Sequence, residues 1–352
     1  MKKQSNLLDN GNVNDDMRDL LGISFTTCNW SEGYNLIYKN DPTCAIPKRL
    51  IELYVKYIEP DYNSMIYSFK NKYICNEMLV EKNDTKEQRR GLNLVYDFVQ
   101  GYNSGDKPLD IFVAALKINS LLWQPTDLKN NEGILEQKNE YKKKIELLKE
   151  EAKREKNLVK YKEASRLEKE FRDYSYKTKI GGVLRSNNYE DEVKLNAIDI
   201  DVPAARDSME YMNSFINPSK KKEFEDVLNN DNVIDYISYC VRITTKLIYY
   251  QPFMDGNKRT FRALLNLMFK ERGLPPVYIK TSEREKYNSA LYKGMKYEDY
   301  AELIGFYLFK ICDSIYELDV LPYQEKRLKD YSMESSYGSI GDVEKGKKNL
   351  HG

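Results

Sequence analysis

Two apolar helical stripes meeting at a short polar junction constrain this chain more than any other feature of its sequence. From Val233 to Tyr250, the residues Ile237, Cys240, Val241, Thr244 and Ile248 recur at the spacing of one helix face. From Asn257 to Arg272, Phe261, Leu264, Leu265 and Met268 do the same, with Gly273 as the stop signal. Helices this apolar must be buried, so the fold around them is mainly α. The junction reads Gln251-Pro252-Phe253-Met254-Asp255-Gly256-Asn257-Lys258-Arg259-Thr260-Phe261-Arg262 and enters the second helix at its N-terminus. There the first backbone N–H groups have no intrahelical partner, and the helix dipole favours negative charge.

The side chains around that N-terminus suit a phosphate chain. Gly256 allows a tight turn and a close approach of backbone to an anion. Arg259 and Arg262 stand three apart on the first turn, so both guanidinium groups can reach the same side. Asp255 offers a hard oxygen just outside the helix, suited to Mg²⁺ held jointly with phosphate oxygens. A triphosphate needs this combination. The purely local alternative is that Asp255 and Asn257 cap the helix while the arginines pair with surface acids.

Composition narrows the rest. Lysine and arginine number 56 against 55 aspartates and glutamates, a net charge of +1, so no whole-chain field selects nucleic acid or an anionic membrane. No stretch approaches the roughly 20 apolar residues of a membrane span. Cys28, Cys44, Cys75, Cys240 and Cys312 are scattered and odd in number, which argues against a disulfide framework or a zinc site and for reduced thiols in a cytoplasmic protein. The sole histidine is His351, in a polar tail, so histidine chemistry is excluded almost by arithmetic.

Along the chain, Pro47 opens a helical pattern that Pro60 closes, and a second helix is expected from Asn63 to about Glu81. Thr85 with Gln88 reads as a capping box for a third. Residues 109–123 give one buried helix, carrying Ile111, Phe112, Ala115, Leu116, Asn119 and Leu122 at helical spacing. Residues from about 126 to 178 are dominated by lysine and glutamate, with a thin stripe of Ile145, Leu148 and Ala152 that does not sustain heptads; they read as a solvated helix or helical hairpin inserted into the domain rather than a functional coiled coil. Gly181 to Asn188 has the Gly and Asn pairs of an irregular hairpin or flap. The expected division is an N-terminal helical region over 1–107, a domain over 108–318 and a polar, disordered tail over 319–352.

The junction resembles the signature of the Fic/Doc (Fido) family, His-Pro-Phe-x-Asp/Glu-Gly-Asn-Gly/Lys-Arg-x-x-Arg. The continuation Leu274-Pro275-Pro276-Val277-Tyr278-Ile279, followed by Tyr287-Asn288-Ser289-Ala290-Leu291, resembles the family as well. The resemblance implies a Fic/Doc-type helical bundle with a short β-hairpin flap, here carrying the charged helical insertion. It implies AMP transfer from Mg²⁺-bound ATP to a Ser, Thr or Tyr hydroxyl of a target protein, and leaves oligomeric state open, a homo-oligomer included. Asp255 would hold Mg²⁺, Gly256 and Asn257 would line the anion hole, and Arg259 and Arg262 would hold the outer phosphates. Gly182, Val183 and Leu184 would belong to the flap, which grips the target by main-chain pairing. Phe253 would be a core anchor, and Tyr287 either a border of the adenine or a core tyrosine.

Two positions depart from the signature. Gln251 stands where the family has its catalytic histidine, and an amide cannot take up a proton near pH 7. A general base contributes roughly 10² to 10⁴-fold, so transfer would be weakened. Lys258 stands where the AMP-transferring branch has glycine; the Doc-like branch has lysine there and transfers the terminal phosphate. Upstream, Glu77-Met78-Leu79-Val80-Glu81-Lys82-Asn83 resembles the family's inhibitory helix motif, with Glu81 in the place of the glutamate that pairs with the second arginine, Glu77 in place of a hydroxyl residue and Lys82 in place of Gly or Asn. A weaker alternative fit lies at Glu32-Gly33. Besides AMP transfer, the sequence leaves open a catalytically inactive regulatory binding module and a Doc-like kinase.

Overall fold

The computed structural model describes Leu21 and residues 43–58, 66–103, 105, 108–130, 132–178, 181–185 and 200–329. The chain divides into two compact units, Met1–Tyr67 with Leu308–Gly352, and Ser68–Tyr307. The division falls earlier than the expected boundary near residue 107, so the helices just upstream of that boundary belong to the same unit as the signature junction.

In the first unit, α1 (Ala45–Tyr57) buries Leu50, Ile51 and Tyr54, and the Pro47 carbonyl lies 3.8 Å from the Cys312 Sγ. Pro47 sits in the first turn of α1, where a missing N–H costs nothing. Residues 321–329 are helical, although composition predicts disorder from about 319. Residues 330–352, the rest of the expected tail, lie outside the described residues. The alternative fit at Glu32-Gly33 lies outside the described residues.

Helix α2 (Ile66–Val80) begins at the end of the first segment of unit one and runs into the second unit, which holds α3 (Lys86–Gly101), α4 (Ile111–Asn130), α5 (Glu132–Glu155), α6 (Leu158–Thr178), α7 (Ala205–Ser214), α8 (Pro218–Leu228), α9 (Val233–Tyr250), α10 (Asn257–Glu271) and α11 (Arg284–Tyr297). Helix α12 (Ala301–Ile315) runs across the division. The fold is mainly α, and the described residues show a single isolated bridge, Leu184 to Phe253, where a β-hairpin flap was expected.

At the centre, α10 is buried along nearly its whole length and packs against α9, α4 and α3. Such a helix can be apolar on every side. Phe253 and Phe261 stack at 5.8 Å and are fully buried, so the junction's aromatic residue is a core anchor. The strap after α10 is held by Asn266, whose Nδ2 donates to the Val277 carbonyl at 2.9 Å while its Oδ1 accepts the Val277 N–H at 2.8 Å. Lys270 donates to the carbonyls of Val99, Gln100 and Tyr102, filling the acceptors left at the C-terminus of α3.

Helix α4 continues through Pro125 to Asn130, further than the apolar pattern alone indicates. Of the two forms expected for the charged segment, a helix or a helical hairpin, the structure has the hairpin, made of α5 and α6. Its thin stripe is a true contact surface: Ile145, Leu167 and Phe171 form a small core, and Val183 packs onto it from the following segment. The insertion therefore braces residues 181–185.

Candidate functional site

Helix α9 ends at Gln251, which adopts the left-handed conformation with φ 46°. The turn that follows brings the chain back into α10 through Gly256 at φ 76°. A Cβ at Gly256 would lie 2.8 Å from Leu122 Cδ2 and 2.9 Å from Trp123 Nε1, so both the backbone angle and the space demand glycine.

One polar residue of α4 organises the junction. Asn119 donates to the Asp255 carbonyl at 3.1 Å and lies 3.0 Å from Thr260 Oγ1, while its Oδ1 accepts the Gly182 N–H at 2.8 Å. Trp123 Nε1 also donates to the Asp255 carbonyl, at 3.3 Å. Asn119 thus ties the turn, the first turn of α10 and the segment at 181–185 together. Replacing it by alanine leaves buried groups on three elements short of a partner, and we expect Asn119→Ala to lower unfolding free energy by about 1–3 kcal/mol in chemical denaturation.

Gln251 is buried and its amide is occupied. Nε2 donates to the Ile248 carbonyl at 2.5 Å, and Oε1 accepts from Asn257 Nδ2 at 2.9 Å. Asn257 spends its remaining capacity on Phe253, accepting its N–H at 2.9 Å and donating to its carbonyl at 2.8 Å. Both residues hold the junction in shape, so anion contacts at Asn257 would come from its backbone N–H.

Arg185 is a further organiser, and sequence reasoning did not single it out. It is 2% exposed and donates from Nε to the Gln251 carbonyl at 2.7 Å. Its Nη2 reaches the Pro203 carbonyl at 2.5 Å, Ser208 Oγ at 2.6 Å and the Tyr250 carbonyl at 3.3 Å. A guanidinium at the C-terminus of α9 meets the carbonyls that the helix leaves unpaired. The Arg185 N–H also bonds the Pro252 carbonyl at 2.9 Å, beside the Leu184–Phe253 bridge. Leu184, Val183 and Gly182 line a cavity of about 600 Å³ with Phe112, Ile145 and Phe171.

The signature arginines are both engaged from within. Arg262 is buried; its Nη2 meets Glu77 Oε2 at 2.6 Å and Glu81 Oε1 at 2.7 Å, and its Nε bonds the Glu77 oxygens at 3.0 and 3.1 Å. Burial works against the charge of Arg262, but the two carboxylates overcome it and push its pKa up. Burial likewise works to raise the Glu81 carboxyl, yet Arg262, with Lys258 and Arg259 behind it, holds it below its usual range. Glu81 follows Glu77 by four residues, just past the end of α2, so one guanidinium meets both.

Arg259 donates to Gln88 Oε1 and stacks over the Trp123 ring at 5.4 Å. Gln88 therefore departs from the expected capping box. Thr85 Oγ1 does accept the Gln88 N–H at 3.2 Å, but the Gln88 side chain goes to the arginine rather than back to the cap. Tyr287 is buried against Phe306 and Tyr307, with Arg262 over its ring at 5.8 Å, and so belongs to the core.

Lys258 differs from the arginines. Among the described residues it has no ion-pair partner, and burial, with Arg262 and Arg284 nearby, lowers its pKa to about 8 despite Glu81. Arg284, at the start of α11, carries a buried Nε without a hydrogen-bond partner among the described residues. It also escaped sequence reasoning, because nothing local marks it.

Asp255 Oδ1 accepts the Gly256 N–H at 2.6 Å and lies 3.8 Å from Arg259 Nη2, with the side chain 45% exposed. Among the described residues no group of three or more His, Cys, Asp or Glu side chains is placed to hold a metal. One half-exposed carboxylate fits a Mg²⁺ ion that takes its remaining ligands from water and substrate phosphates. No helix of the described residues is long and apolar enough to cross a membrane.

The geometry defines an all-helical domain built around a helix N-terminus ringed by Lys258, Arg259 and Arg262. Residues 116–269, less than half of the chain, match the model of the Fic/DOC family. A stretch of 68 residues is 38% identical to the protein adenylyltransferase Fic of Drosophila willistoni and another comparison gives 37% over 68 residues with that of Drosophila melanogaster. These matches cover 19% of this chain and only 14% of each relative. Among solved structures, Fic-1 (residues 134–508) from C. elegans aligns with a TM-score of 0.47 at 14% identity, over 88% of this chain and 80% of that one. A Fic domain containing signaling protein from Bacteroides thetaiotaomicron gives 0.42 at 15% identity, over 78% and 96% respectively.

Proposed function

We propose that this chain binds a Mg²⁺-bound nucleotide at the N-terminus of α10 and transfers AMP from ATP, slowly, to a hydroxyl of a target protein. The carrying observation is the convergence of the Gly256 turn, Asp255, Lys258, Arg259 and Arg262 on one helix N-terminus. In that reaction the hydroxyl oxygen bonds to the α-phosphorus as the bond to pyrophosphate breaks. Pyrophosphate departs, and the hydroxyl proton passes to water or to phosphate oxygen, since Gln251 cannot hold it. Mg²⁺, when bound beside Asp255, would offset the charge of the phosphates. An extended target segment would lie along residues 182–184, beside the cavity that the insertion helps to form. A second reading, a regulatory nucleotide-binding module without chemistry, is favoured by the Gln251 amide being consumed by Ile248 and Asn257. The Doc-like alternative rests on Lys258 alone.

The direct test is calorimetric titration of the purified chain with Mg²⁺·ADP and Mg²⁺·ATP, followed by incubation with labelled ATP and candidate proteins. Binding lost in Gly256→Val, with label delivered from the α-phosphate, is the expected pattern. Binding without transfer would leave the regulatory module, and label from the γ-phosphate would establish the Doc-like reaction. No binding of either nucleotide by folded protein would end the proposal.

Lys258 adds a pH dependence. In the ligand-free protein its ammonium loses its proton near pH 8, whereas a bound polyphosphate favours the charged form. Binding above that pH must therefore take up a proton, so affinity is flat below about pH 7 and falls by up to about tenfold per pH unit above 8. Lys258→Met should bind more weakly at pH 7 and lose this slope.

A further inference from the structure

The far end of the charged insertion carries side chains that its own fold does not use. Helices α5 and α6 pair antiparallel, with Tyr141 stacked on Tyr174 toward the base, Lys149 bonded to Glu168 further out, and Ala152 and Ala164 both buried near the end. Over its 24 residues α5 carries the chain about 36 Å away from α4. The turn beyond is closed from within. Lys156 takes the left-handed conformation at φ 49°, the Asn157 N–H bonds the Ala152 carbonyl at 3.0 Å, and Asn157 Oδ1 accepts the Val159 and Lys160 N–H groups at 3.0 and 3.4 Å. One residue thus ends α5 and caps α6. Leu158 and Val159, the first two residues of α6, add no side-chain bond to that closure and stand 70% and 73% exposed. Tyr161, one turn on from Leu158, is 46% exposed.

Around this apolar end the charge is one-sided. Residues 153–162 hold five basic side chains, Lys153, Arg154, Lys156, Lys160 and Lys162, and one acidic side chain, Glu155, with Glu150, Glu151 and Glu163 flanking them. Glu151 and Glu155 meet Lys160 at 2.7 and 3.0 Å, and Arg154 lies 3.6 Å from Glu155. Lys153, Lys156 and Lys162 are exposed and have no ion-pair partner among the described residues. Three apolar side chains at the end of a two-helix rod fall far short of the roughly 800 Å² a side that a stable protein–protein interface buries. A nucleic-acid backbone would engage the lysines but has no place for Leu158 and Val159. An anionic bilayer uses both sets: aliphatic tips enter the boundary between headgroups and acyl chains, a tyrosine settles at the interface, and lysines meet lipid phosphates and carboxylates. We propose that the end of the α5–α6 hairpin docks on an anionic phospholipid surface through Leu158, Val159 and Tyr161, held there by Lys153, Lys156 and Lys162. This docking is independent of whether the domain binds a nucleotide.

The test is co-sedimentation of the full chain with vesicles of phosphatidylcholine alone and of phosphatidylcholine mixed with phosphatidylserine. The mixed vesicles should bind at least about tenfold more tightly, since each lysine at an anionic surface is worth about fivefold. Leu158→Ser/Val159→Ser should weaken binding to the mixed vesicles by about tenfold or more, and Lys153→Gln/Lys156→Gln/Lys162→Gln should abolish the preference for them. Neither set belongs to the seam between α5 and α6, so thermal unfolding without vesicles should match the original chain. A depth readout comes from Leu158→Trp, whose emission should shift to the blue on mixed vesicles beyond that of the two native tryptophans. Leu147→Trp, at a site 58% exposed but two turns back along α5, should show no added shift. Folded protein that ignores the mixed vesicles overturns the proposal, as does binding that survives both sets of substitutions or shifts the two introduced tryptophans equally. Binding of an RNA homopolymer that needs the three lysines but not Leu158 and Val159, without vesicle binding, would assign this end to nucleic acid instead.

Discussion

Replacing Gln251 by histidine in the Glu77→Gln/Glu81→Gln background should raise transfer of label from the α-phosphate roughly 10² to 10⁴-fold, the contribution of a positioned general base. The scaffold at 251 is ready for the exchange. Its backbone is already held in the left-handed region by the bond from its N–H to the Leu247 carbonyl and by Arg185 on its own carbonyl, so no new strain arises. The Ile248 carbonyl, which now takes the Gln251 amide, is an acceptor for an imidazole N–H and would leave the other ring nitrogen unprotonated. Opening the Arg262 clamp first matters, because a base gains nothing while the triphosphate is held off. The histidine form should also acquire a rate that rises through about pH 6.5, the ordinary range of an imidazole, which the glutamine form lacks. Equal rates in the two forms would mean that chemistry at this site needs no base at 251.

What was legible in the sequence follows a physical line. The junction and its flanking helices were readable because helical periodicity and a helix N-terminus are local. Arg262 with Glu81 was anticipated from the motif resemblance, but Glu77 was taken only as a departure from it. The signal that could have found it was available: two acids four apart, opposite a single buried arginine. Gln88 was misread for a related reason, since its spacing from Thr85 fits a local cap equally well and only the fold brings Arg259 within reach. Asn119 offered a hint as the lone amide among apolar positions of α4, where burial demands a partner. Its partners at 182, 255 and 260 lie more than sixty residues away and could not be named. The insertion's stripe looked too thin to matter because its counterparts lie elsewhere in the sequence, Leu167 and Phe171 on the second helix of the hairpin and Val183 on the following segment. Residues 321–329 read as disordered from composition, and their helix shows that polarity alone does not decide.

Arg185 gives the largest expected effect on stability. Arg185→Met keeps much of the apolar stem but removes the donors that serve the carbonyls of Gln251, Tyr250 and Pro203 and the Ser208 hydroxyl. Ser208 Oγ can still bond the Tyr250 carbonyl at 2.5 Å, so that acceptor is partly covered, while the Gln251 and Pro203 carbonyls lose these bonds outright. Several buried charge-assisted bonds lost together should cost about 3–5 kcal/mol, seen as a fall in the unfolding midpoint of roughly 10 °C. The position makes the loss more than structural. Arg185 fixes the carbonyl of the residue that turns the chain from α9 into the junction, and its N–H holds the Pro252 carbonyl. Nucleotide affinity should therefore fall in Arg185→Met even at temperatures where the protein remains folded. Arg185→Lys, which keeps the charge but not the fork of donors, should recover only part of either loss. Undiminished stability in Arg185→Met would show that the C-terminus of α9 is satisfied by other means, and the junction would then owe its shape to Asn257 and Asn119 alone.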